Sequence, residues 1–186
     1  MALAAEDTGA PDEDLIAHAK AGDRGAFAEL VTRHYDFIFR VAWKWCGKKA
    51  DAEDIAQEVS ARLGRSIRSF AGQGAFTTWL YALTLNVARD QGRRAMRESR
   101  KAEAFGIHAA AFGEAMPEPD ERADALWDAV RKLPDKQREA VLLVYGEELS
   151  HGDAAEIMGC AEPTVSWHIH EAKKRLKVLM RSAGEA

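Results

Sequence analysis

LSHGDAAEIMGCAEPTVSWHIHEAKKRL, residues 149–176, specifies two short helices around a tight turn. Ser150 is placed to cap the first helix by accepting one of its orphaned backbone N–H groups. Ala154, Ala155, Ile157 and Met158 supply small and apolar residues for packing against a neighbouring helix. Gly159 stands where that helix must stop, since glycine tolerates the left-handed C-terminal cap. Pro163 suits the first position of the next helix, where a missing N–H costs nothing. Val165, Ile169, Ala172 and Leu176 then recur at spacings of four, three and four, forming one apolar stripe. Thr164, Ser166, Trp167, His168, His170, Glu171 and Lys174 are left facing outward. This is the pattern of a helix-turn-helix, whose second helix lies in a DNA major groove. A plain helical hairpin is the rival reading, and an outward Trp167 argues against it. The run Lys173, Lys174, Arg175, Lys177 and Arg181, opposed by Glu171 alone, gives a positive end suited to phosphates.

Outward from that stretch, helical periodicity continues to both ends and strand signals are nearly absent. Leu15, Ile16 and Ala19 mark a first helix ended near Gly22. A second is expected from about Asp23 to Cys46, with Phe27, Leu30, Val31, Tyr35, Ile38, Phe39 and Ala42 on its buried face and Gly47 as its stop. Asp51 is expected to cap a third, carrying Ile55, Val59, Leu63 and Ile67 at four-residue spacing. The loop Ser69 to Gly74 leads into a fourth helix, about Phe76 to Arg94, with Phe76, Trp79, Leu80, Leu83 and Val87 as its stripe. Burying several such side chains, at roughly 1.5–3 kcal/mol each, can offset the ordering of one four-helix unit. Between about Met96 and Asp120 the pattern dissolves into alanines, glycines and Pro117-Glu118-Pro119, which reads as a flexible linker. Ala125, Leu126, Val130 and Leu133 then give a helix stopped by Pro134, and Val141, Leu142 and Tyr145 the next. The expected architecture is all-α: two small helical domains joined by a flexible linker.

Composition narrows the function. The 186-residue chain is 47% hydrophobic and 30% charged, as in soluble globular proteins. No apolar run approaches the roughly 20 residues that span a bilayer. The N-terminus, MALAAEDTGAPDED, lacks the basic start and apolar core of a secretory signal, so a cytoplasmic location without membrane insertion is expected. The two cysteines, Cys46 and Cys160, form no CxxC pair, and no metal site or cofactor is expected. No phosphate-cradling loop or nucleophile–base arrangement marks an enzyme.

A formal charge of −4 is unusual for a DNA binder, but the charges are segregated. Acidic residues crowd the N-terminus and Glu114 to Asp128, while basic ones gather at Arg89–Lys101 and Lys173–Arg181. Two basic patches on a net-acidic chain fit two separate nucleic-acid contacts, with weak binding alone and reliance on a partner.

Three segments together resemble the bacterial sigma-70 factors of the extracytoplasmic-function (ECF) group, over nearly the whole chain. DAEDIAQEV (51–59) resembles the region 2 helix that docks on the β′ clamp helices of RNA polymerase. SFAGQGAFTTWLYALTLNVARDQGRR (69–94) is similar to the family's loop and helix for promoter melting and −10 recognition. LPDKQREAVLLVYGEELSHGDAAEIMGC (133–160) resembles the entry into region 4, which reads the −35 element. The resemblance implies a disordered N-terminus (1–11), region 2 (12–95), a linker (96–120) and region 4 (121–182). It implies core polymerase, through the β′ clamp helices and β flap, promoter DNA and an anti-sigma factor as partners. A stress-response regulator of transcription initiation is thus expected. The alternative is an independent, dimeric helix-turn-helix regulator.

The residues fit those roles. Asp54, Gln57 and Glu58 occupy neighbouring turns and offer acceptors and an amide to a basic protein surface; a merely solvated acidic face is the plainer reading. A base flipped out of its stack needs a pocket and hydrogen bonds to its edge, because unstacking costs a few kcal/mol. Phe70, Gln73 and Asn86 are the candidates. Arg89, Arg93 and Arg94 flank Asn86 and Asp90 and read as contacts to the strand and upstream duplex. Trp79 and Tyr81 are either stacking platforms or, as is commoner on a helix, core. For the −35 element the candidates are Thr164, Ser166, Trp167, His168, His170, Glu171, Lys174 and Arg175. Here the chain departs from the family, which usually carries basic residues after Thr164-Val165 and at the position of Glu171. Either Glu171 accepts from a cytosine amino group and Trp167 meets a thymine methyl, at about 1–3 kcal/mol for each good contact, or Glu171 faces solvent.

Overall fold

The computed structural model describes residues 10–72, 74–104 and 121–184, and among them every regular element is helical. The helices are α1 (Asp12–Lys20), α2 (Arg24–Cys46), α3 (Lys49–Ser66), α4 (Phe76–Ala104), α5 (Glu121–Arg131), α6 (Asp135–Val141), α7 (His151–Met158) and α8 (Glu162–Gly184). A 3₁₀ turn, Ile67–Ser69, follows α3, and a π-helical turn, Leu142–Gly146, continues α6. Residues 1–9, Gln73 and most of the expected linker (105–120) lie outside the described residues.

Local chemistry sets the helix limits. Asp23 caps α2, its Oδ1 accepting from Gly25 N at 2.7 Å and Ala26 N at 3.1 Å. Gly47 ends that helix at φ 72°, the left-handed region open to glycine. Ser150 caps α7 by accepting from Asp153 N at 3.1 Å, and Gly159 closes it at φ 62°. Two expectations shift. The third helix begins at Lys49, so Asp51 sits in its first turn, where its charge meets the positive helix end rather than capping it. The fourth runs to Ala104, well past Arg94, because MRESRKAEA contains mostly strong helix formers.

In the first unit α2 packs against α1, α3 and α4. Its buried stripe is Leu30, His34, Ile38, Val41, Ala42 and Trp45, while Phe27, Val31, Tyr35 and Phe39 are only partly covered. The stripe is rotated from the expected one because neighbours surround this helix on several sides. The expected Ile55, Val59, Leu63 and Ile67 are buried on α3 and its following turn. In the second unit α8 packs against α5, α6 and α7 through Val165, Ile169 and Ala172. Tyr145, one of the residues marking this helix, is exposed and lies on the π turn, where the helical register changes.

The two units touch, and their buried cores are continuous. Contacts run from α2 and α4 to α5, α6, α7 and the π turn.

Candidate nucleic-acid interface

The α3 candidates lie on an open face. Asp54 and Gln57 are exposed, whereas Ile55, Ala56 and Val59 turn inward. Glu58 is half-exposed and accepts from Arg62 Nε at 2.7 Å. That hydrogen bond holds its carboxyl below the ordinary carboxylate value. Contact between the units leaves this face accessible.

Around the 69–75 loop, α1 supplies a wall absent from the sequence reading. A cavity of about 320 Å³ is lined by Asp12, Glu13 and Ile16 from α1 and by Phe70, Gly72, Ala75, Phe76 and Thr77 around the loop. Gly72 and Gly74 have positive φ, 74° and 80°. They are the positions where the turn itself needs glycine. Phe70, a candidate for the base pocket, lies in the wall of this cavity. The residue is only 7% exposed, and its ring packs against Phe76 (5.4 Å between centroids) and Trp79 (5.5 Å). It forms both wall and core. Lys20 on α1 donates to the Phe70 carbonyl and lies over its ring, fixing the loop's entry. Trp79 is partly covered in the same aromatic cluster and Tyr81 is buried. Burial pushes the Tyr81 phenol far above its ordinary value.

Along α4, Asn86, Arg93 and Arg94 are exposed. Asp90 accepts from Arg93 at 2.6 Å and from Arg62 at 3.3 Å, and these cations hold its carboxyl low. Arg89 stands apart. Its Nη2 donates to Glu139 Oε1 of the second unit at 2.6 Å.

On α8, Thr164, Ser166, Trp167, His170, Lys174 and Arg175 are exposed, with Trp167 at 56%. Ser166 Oγ is 2.8 Å from His151 Nδ1, tying the start of this helix to α7. His168 is half-buried against Trp167, and its Nδ1 is buried without a hydrogen-bond partner. Burial, aided by nearby Lys136, holds this imidazole below its ordinary value. Glu171 accepts from Lys174 Nζ at 2.9 Å. A surface ion pair within the helix thus sets a cation beside its charge.

The sequence reading missed Lys44, Arg138, Glu139 and Glu147, which join the units. Glu139 carried a signal. It lies three and four residues before Leu142 and Leu143, on the helix's apolar side, where a carboxylate is buried only with a partner.

Models of sigma-70 region 2 and sigma-70 region 4 match residues 30–98 and 123–176. The chain is 30% identical to the ECF RNA polymerase sigma factor SigW of Bacillus subtilis, over 89% of this chain and 95% of that protein. It is 31% identical to the ECF RNA polymerase sigma-E factor of Haemophilus influenzae, over 89% and 93%. Among solved structures, the sigma factor RpoE in complex with the anti-sigma factor NepR, from Bartonella quintana, superposes with a TM-score of 0.66 at 26% identity. That match covers 83% of this chain and 96% of the other.

Proposed function

The chain belongs to the sigma-70 family of RNA polymerase sigma factors, in its extracytoplasmic-function group, and from that premise we propose how its two units share the work of transcription initiation. It binds core RNA polymerase, brings it to a promoter and holds the melted strand, under the control of an anti-sigma factor. The observation that carries this reading is the presence of two open surfaces on separate units: the Asp54–Gln57 face of α3 and the outward face of α8.

The roles divide by chemistry. Region 2 is read at residues 12–95 and region 4 at residues 121–182, with α4 carrying the first unit on to Ala104 before the joining segment. Asp54, Gln57 and Glu58 offer acceptors and an amide to the basic clamp helices of polymerase. The glycine-bearing loop and its cavity admit an unstacked base, with Asn86 at hand for its edge. Arg93 and Arg94 bind backbone phosphates, which position the strand without reading it. Trp167 and its polar neighbours read the −35 duplex, with Lys174 and Arg175 anchoring the phosphates. The protein performs no chemistry itself and works in the cytoplasm, alongside the polymerase. An independent dimeric regulator is not favoured, since it leaves the region 2 segment (residues 30–98) without a task.

The test is reconstitution with core polymerase and a matching promoter. Initiation should depend on the protein. Asp54→Lys should weaken core binding by about tenfold or more, as a desolvated like-charge contact costs several kcal/mol, while leaving helicity unchanged. Initiation that proceeds equally well without the protein would refute the reading.

A further inference from the structure

Where the two apolar cores meet, charged pairs also cross between the units. Arg89 on α4 pairs with Glu139 on α6, whose side chain is 1% exposed. Lys136 Nζ approaches the other Glu139 oxygen at 3.1 Å. On α2, Lys44 Nζ donates to the Gly146 carbonyl and to Glu147 Oε1, both at 2.7 Å. The π turn brings these two acceptors together, and Glu148 beyond it has φ 56°, an uncommon conformation for a residue with a side chain. Arg138 on α6 lies 3.7 Å above the Trp45 ring. Arg131 on α5 covers Gly47 so closely that a Cβ there would collide with it.

The partner chosen by Arg89 matters for function. Asn86, Arg93 and Arg94 on the same helix are exposed, but Arg89 points to a carboxylate oxygen in the other unit. A carboxylate oxygen offers a guanidinium the same kind of charged hydrogen-bond acceptor that a phosphate oxygen does. We infer that Glu139 is a built-in stand-in for a promoter phosphate: in the closed chain it occupies Arg89, and the units must part before Arg89 can bind nucleic acid. This rests on the proposed role of α4 at the promoter strand.

The energetics suit a reversible latch. Closing the units desolvates Glu139 and Arg89, and their attraction roughly offsets that cost rather than adding a large surplus. Arg89 Nε and Arg138 Nε are buried without hydrogen-bond partners, which lowers the net gain further. The apolar contact that joins the two cores favours closure. Opening rehydrates both ions, which offsets part of that contact, and polymerase or DNA supplies the remaining differential affinity.

The experiment uses the full chain with Cys46→Ser and Cys160→Ser. Dyes are placed on Arg68→Cys and Lys177→Cys, both exposed positions on different units. Energy transfer reports closure, and anisotropy reports binding to a single-stranded promoter oligonucleotide. Glu139→Gln should lower transfer and raise oligonucleotide affinity about fivefold or more, as the competent fraction grows. The exchange Arg89→Glu with Glu139→Arg should restore transfer without the gain in affinity. If Glu139→Gln fails to fold by circular dichroism, Glu147→Gln at the far end of the interface should lower transfer in its place.

Unchanged transfer in folded Glu139→Gln and Glu147→Gln would overturn the latch. So would opening without any gain in affinity. If transfer is unchanged while the protein still directs core polymerase to a promoter, the latch fails and the proposed function stands. If Glu139→Gln opens the chain and binds the oligonucleotide more tightly but no variant supports initiation, the latch stands and the function fails.

Discussion

Trp167 is the residue on which promoter choice should turn. It projects from the first turns of α8 with more than half its surface in water, among side chains able to reach base edges. Folding gains little from an exposed indole, whereas a duplex can bury it against a thymine methyl. Trp167→Ala should therefore weaken binding to the −35 duplex by about tenfold, since burying a large apolar side chain is worth roughly 1.5–3 kcal/mol. Thermal stability should stay unchanged. Anisotropy titrations beside a melting curve check both halves. Glu171 shows the other side of reading single residues. Its charge suggests repulsion from DNA, but Lys174 one turn away pairs with it and holds its carboxyl below the ordinary value.

At the scale of the element, the helix-turn-helix was legible because its punctuation is local. Ser150 caps, Gly159 turns left-handed and Val165, Ile169 and Ala172 face inward, all within reach of their own neighbours in the chain. Ser150→Ala removes the acceptor for Asp153 N and should cost about 1 kcal/mol. For a chain of this size that lowers Tm by roughly 2–4 °C, which calorimetry measures directly. Other boundaries were less legible. The reach of α4 to Ala104 follows from helix propensity continuing after the apolar stripe ends. The turned face of α2 has a different cause: its covering comes from α1, α3, α4 and the second unit, all distant in sequence or on other sides.

At the scale of the whole molecule, acidification should loosen the structure steadily. The hydrogen bond from Arg62 holds Glu58 low, and Arg93 and then Arg62 hold Asp90 low. Burial holds His168 low. In each case the unfolded chain binds more protons within the window, so stability rises with pH. The His168 contribution is present above the ordinary imidazole value, about 6.5, and is lost as pH falls below it. The carboxylate contributions are lost further down, as pH drops from their ordinary values, about 4, through the depressed ones. These carboxylates are well exposed, so water screens their share. Arg62 is shifted the opposite way but stays charged throughout the acid range. Tm should thus fall monotonically from neutral to acid pH, and His168→Gln should flatten the first part of the slope.

The sequence by itself determined the helical class, the helix-turn-helix and the open α3 face. Apolar spacing, caps and glycine stops act within a few residues, and nothing remote overrides them at these positions. Tertiary structure alone decided where Phe70 points, which side of α2 is covered and what Arg89 holds. Those outcomes depend on groups brought from far along the chain: α1 beside the 69–75 loop, and Glu139 fifty residues beyond Arg89. A charge's partner is set by distance in space, and local periodicity carries no record of it.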